Sequence, residues 1–334
     1  MRDLNEVSTI KYYMATNAYL RVLCNNEAHT RDEDLLAATV IIRFYEELAE
    51  LINGKLQDQL TRPFQLFVAA QARPDLFQLP FEHYDFRIPG AFAGVRHIAE
   101  PYLKSYQHSS FRIALRQECQ RALLSRENVQ LPLESWKLLE GFDETEDCVW
   151  TDRLLYHYAR VLQFCFSNDH TGPQRSTRWQ ELKVFQERWE EARPLSFSPY
   201  HQTRPDRDKG EIFPMIWYVH EVNAAGMIYF HLARLLLTVY DPHVHRIGPG
   251  SAAAQRKVSE DVRDIVVQLC GIAMSTVTTQ PVLVQAYNTV AMFGEHFTDR
   301  KEQEALLGVL VELERAHAWP VSKEADALRK EWQW

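Results

Sequence analysis

Glycine and proline are scarce in this chain: 12 and 15 in 334 residues. That works against a turn-dense all-β fold, which needs both residues at its reversals. Cysteines number five, at 24, 119, 148, 165 and 270, and none forms a C-x-x-C pair. Scattered through apolar or helical contexts, they read as small buried hydrophobes in a reducing compartment, not as a disulfide framework or a metal cage. There is no run of Lys or Arg, and the net charge is −8. Direct binding to nucleic acid is therefore not expected, because that affinity comes largely from neutralising phosphates. The residues from Met1 to Tyr13 hold no apolar signal core. No apolar stretch reaches the ~20 residues of a membrane span without a charge or a histidine, so no membrane partner is expected. Phosphate-binding loops, dinucleotide fingerprints, G-x-S-x-G and H-E-x-x-H are all missing.

What is present is helical periodicity, almost from end to end. Apolar residues recur at three- and four-residue steps over 4–25, 35–53, 109–126, 148–166 and 177–193, and again from 255 to the carboxyl end. Trp179, Leu182, Phe185 and Trp189 fall on one face of their helix. Asp147, then Ser176 or Thr177, and Asp299 stand where helix caps are expected. Residues 60–94 are broken by Pro63, Pro74, Pro80 and Pro89 and read as a loop with one short helix at 64–72, while 194–210 reads as a surface loop. No convincing strand is visible. The expected fold class is all-α: a large helical array, one domain over 1–334 with an N-terminal subdivision at 1–94 as an alternative.

The array is expected to pack around Phe213–Tyr240, read as a single helix of about 40 Å with Pro214 in its first turn and Asp241-Pro242 as its stop. His220, Asn223, His231, Arg234 and Thr238 fall on one stripe of it. Two readings stay open: hydrogen-bonded core or groove histidines, or a polar seam lining a ligand cavity. In the second, Trp217, His220, Asn223, Tyr229, His231 and Arg234 are the candidate ligand-binding residues. His220 and His231 stand three turns apart, too far to share a metal ion. Asp241, His243 and His245 lie close in sequence but supply too few ligands for a closed site, so no metal and no cofactor is expected. Tyr156 and His157 read as core.

The segments LLAATVIIRFYEEL (35–48), ALRQE (114–118) and EDCVWTDRLLYHYARVLQFCF (146–166) form an ordered series. It continues through RPLSFSP, PDRDKGEIFPMIWYVHE, YFHLARLLLTVYDP, FTDRKEQEALLGVL and ERAHAWP. In that order the chain resembles the fungal-specific transcription factor domain, the helical regulatory region that follows a zinc binuclear cluster in fungal regulators. The six clustered cysteines of that DNA reader do not occur here. The resemblance implies a transcription regulator that senses a ligand or acts through a DNA-binding partner factor, in the nucleus, with a homodimer left open. The alternative is the same fold repurposed, in the cytoplasm, as a cofactor-independent enzyme or a binding protein for a small apolar secondary metabolite. As an enzyme of cyclase, isomerase or dehydratase type it would use His220, His231 and Arg234 as catalytic groups.

Overall fold

The computed structural model describes residues 6–24, 33–53, 99–131, 133–167, 173–245 and 247–334. The expected loop at 60–94, its short helix at 64–72 and the helix stop at Gly54 lie outside them. Ten α-helices are described: α1 Glu6–Cys24, α2 Glu33–Asn53, α3 Ala99–Ser125, α4 Asp147–Phe166, α5 Pro173–Ala192, α6 Glu221–Val239, α7 Ser251–Ser275, α8 Gln280–Phe293, α9 Arg300–His317 and α10 Ser322–Glu331. The fold is all-α, with one two-stranded antiparallel ribbon of β1 His201–Thr203 and β2 Met215–Trp217. The chain divides into two compact units, one of residues 1–120 and 130–138, the other of 121–129 and 139–334.

In the first unit α1 lies on α2, where the Tyr13 hydroxyl donates to Glu46 Oε1 at 2.7 Å and its ring meets Tyr45 at 5.1 Å. Burial, and then the Glu46 carboxylate, push the Tyr13 phenol up to about 12. Arg43 on α2 pairs with the buried Glu118 of α3 at 3.5 Å, and Gln117 Nε2 donates to Val40 O.

In the second unit α6 is the buried axis. It is long and apolar enough to cross a membrane by length and composition, but two thirds of it (67%) is buried inside the protein. That is the signature of a core helix. Contacts between Thr151 and Val222, Tyr158 and Tyr229, and Phe166 and Tyr240 put α4 alongside it in parallel. Gly226 makes the approach close: a Cβ there would sit 2.8 Å from Phe197 Cε1 and 2.9 Å from Thr151 Oγ1. Helix α5 returns antiparallel, tied by Trp179 Nε1 to Leu237 O at 2.9 Å and Gln186 Nε2 to Phe230 O at 3.2 Å. Its predicted face is the buried one, with Trp189 packed against Trp150, Phe197 and Phe230.

The central helix is shorter than expected. Residues 213–220 are not helical: Met215–Trp217 is strand β2, and α6 begins only at Glu221 with His220 as its N-cap residue. Ile216 and Trp217 belong to the β-branched and aromatic class that favours extended backbone, and their neighbours fix the choice. Gln202 pairs with Ile216, and Ile216 N donates to Ser275 Oγ at 3.0 Å. Gly271 on α7 lets the backbone at Pro214 come so close that a Cβ would lie 2.6 Å from the Pro214 carbonyl oxygen. The expected surface loop at 194–210 accordingly contains β1.

Candidate functional site

Asn223, in the first turn of α6, is wholly buried, and its Nδ2 donates to Asp147 Oδ2 at 2.9 Å. Asp147 Oδ1 accepts from Ser196 Oγ at 2.7 Å. Asp147 is the first residue of α4, not its cap; Glu146 occupies the cap position. The carboxylate instead staples the starts of α4 and α6 to the turn after α5. Asn223 is thus a bracing residue that ties the start of α6 to the start of α4.

Two turns further along α6, His231 and Arg234 face a different environment. His231 Nδ1 is buried without a hydrogen-bond partner. Burial pushes the imidazole down to about 4, and the guanidinium groups of Arg234 and Arg193 push it the same way. Arg193 stands just past the end of α5 and also acts on Tyr218, whose phenol burial raises to about 12. Among the described residues neither Arg193 nor Arg234 has a side-chain ion-pair or hydrogen-bond partner. The result is a niche of positive charge around the His231 ring, which Arg193 reaches from the end of α5 and to which Arg234 adds from its exposed position on α6. Such an arrangement offers N–H and O–H donors and net positive charge to a carboxylate or another small anion.

The remaining candidates do not join this niche. His220 is exposed at the helix start and makes no side-chain cap bond. It stands eleven residues, about 16 Å of helix, from His231, so the proposed trio of His220, His231 and Arg234 cannot act on one atom. Trp217 is on β2 instead of the helix, 41% exposed, with its ring 5.3 Å from His201 and 6.1 Å from Tyr200. Tyr229 is buried and lies half a helical turn away from the seam, stacked on Tyr158 at 6.1 Å. Thr238 turns its hydroxyl onto Arg234 O. Of the six predicted residues, then, only His231 and Arg234 share a locale.

Arg193 and Tyr218 were missed. No local signal marks them, since one ends an amphipathic helix and the other follows a strand; only the antiparallel return of α5 brings Arg193 to the seam. His157 is a core residue as expected, fully buried and stacked on Phe185 at 4.7 Å. No protein-family model, no curated protein and no solved structure matches the chain.

Proposed function

We propose that the chain is a ligand-sensing regulatory domain of the transcription-factor type, acting in the nucleus through a partner factor that reads DNA. The observation that carries this reading is the His231 ring, whose Nδ1 is buried without a hydrogen-bond partner and on which the charges of Arg234 and Arg193 both act. A small molecule with an apolar body and one acidic group matches it: the acid meets the two arginines, and the body lies against the apolar helices around α6. Holding such a ligand would lock the end of α5 to α6, a change that a partner factor can read. The resemblance to fungal regulatory domains and the all-α fold support the same reading. The net charge of −8 is in keeping with a role that leaves DNA contact to another protein.

The test is deletion of the gene in its source organism, with transcripts and small-molecule products read together. Loss of expression in a coordinated set of genes, restored by the wild-type chain and not by Arg193→Ala/Arg234→Ala, is the expected outcome. Unchanged transcripts with one metabolite arrested at a precursor would replace the regulatory reading with an enzymatic one.

A further inference from the structure

A second constellation lies at the far end of α6, where the chain leaves the helix at Asp241-Pro242. The Asp241 carboxylate accepts two bonds through Oδ1, from the His243 backbone N–H at 2.8 Å and from His243 Nδ1 at 2.9 Å. This local turn orients the imidazole ring: in the tautomer whose Nδ1 donates to the carboxylate, Nε2 is left to accept from a hydroxyl. Nε2 faces Ser176 Oγ at 2.6 Å, across 67 residues of sequence. The Trp179 ring, anchored through Nε1 to Leu237 O, stands edge-on to His243 at 5.1 Å and holds it from one side.

Ser176 lies inside the first turn of α5, which starts at Pro173, so it is not the cap expected from the sequence. It therefore sits near the positive end of a 20-residue helix, where growing negative charge is favoured. The site is open to water, as the His243 side chain is 54% exposed and that of Asp241 23%.

We propose that Ser176, His243 and Asp241 form a nucleophile, base and orienting carboxylate for acyl transfer from small, accessible esters to water. The arrangement meets the two geometric requirements of that chemistry, a nucleophile–base and a base–orienter hydrogen bond. Ser176 Oγ attacks the ester carbonyl carbon as its proton passes to His243 Nε2. The tetrahedral intermediate then expels the alcohol, which takes that proton, leaving Ser176 acylated. A water molecule gives a proton to Nε2, attacks the acyl carbon, and releases the acid as the proton returns to Ser176 Oγ. Asp241 holds the ring throughout and stabilises the imidazolium. This inference is independent of the niche around His231.

The experiment uses the full chain with p-nitrophenyl acetate as substrate and a fluorophosphonate as covalent probe, with the adduct mapped by peptide mass spectrometry. The expected adduct is on Ser176. Ser176→Ala and His243→Gln should each slow p-nitrophenol release by about a hundredfold or more, the usual scale of a lost general base. Asp241→Asn should slow it while leaving the protein folded. His243 is exposed and Ser176 and Asp241 half-exposed, so circular dichroism melts should be close to wild type. An adduct elsewhere, no adduct on the folded protein, or release unchanged in Ser176→Ala would each overturn the proposal.

Discussion

Acidification is a direct probe of how the core is built, because His157 is sealed inside it. Its ring stacks on Phe185, and burial, followed by the nearby Arg160 charge and only partly offset by the Gln186 side chain, pushes its pKa down to about 3. The unfolded chain binds a proton at this residue near pH 6.5, while the folded chain refuses it until about pH 3. The unfolded state therefore holds more protons between those values, and stability falls as pH falls through that window. At pH 5 the difference amounts to about 2 kcal/mol from this one side chain, relative to pH 7.5. In a unit of about 200 residues that is a fall of about 4–8 °C in melting temperature. Exchanging His157 for Phe keeps a ring against Phe185 and removes the proton site. Melts of both proteins at pH 7.5, 6 and 5 should show the wild type losing about 4–8 °C more than the variant. Identical losses in the two proteins would mean that His157 is solvated and not sealed between α4 and α5.

Other consequences follow from single contacts. Gly271→Ala pushes a Cβ to 2.6 Å from the Pro214 carbonyl oxygen and 2.8 Å from its Cγ, against backbone and ring atoms that cannot swing aside. The expected loss is about 1–3 kcal/mol in a denaturant titration; no loss would place β2 away from α7. Asn223→Ala removes a buried amide that bonds Asp147, and the same titration should show a cost of about 1–3 kcal/mol, much more than Ser196→Ala at the half-exposed partner. Burial pushes the Cys165 and Cys270 thiols far above the usual range, whereas Cys148 is half-exposed. Iodoacetamide at pH 8 followed by peptide mapping should modify Cys148 first and leave the other two untouched until the fold is opened.

The helices were legible because their signals are local. The face of Trp179, Leu182, Phe185 and Trp189 is a matter of spacing alone, and Asp299 caps α9 through the backbone N–H groups of Lys301 and Glu302, two and three residues on. Residues 213–220 were misread because composition favoured them as an apolar helix. Their state is decided elsewhere, by Gln202 across the ribbon and by Ser275 and Gly271 on α7. The polar stripe on α6 failed in part for a similar reason. Angular position says which residues share a line, not what each one meets: Asn223 meets Asp147, His220 meets solvent, and His231 is buried under the charges of Arg234 and Arg193. Asp147 and Ser176 both stood at cap-like positions, and each instead serves a partner at least 49 residues distant.

The regulatory reading rests on the niche between α5 and α6, and ligand binding there is the measurement to make. Calorimetric titration of the wild type with 1-naphthoate, and separately with inorganic phosphate, should give saturable binding of the apolar carboxylate and weaker binding of phosphate. Arg193→Ala and Arg234→Ala should each weaken naphthoate binding tenfold or more, on the scale of a charge-assisted hydrogen bond lost. Absence of saturable binding, or affinity unchanged by removing both guanidinium groups, would contradict the assignment of this niche as the sensing site.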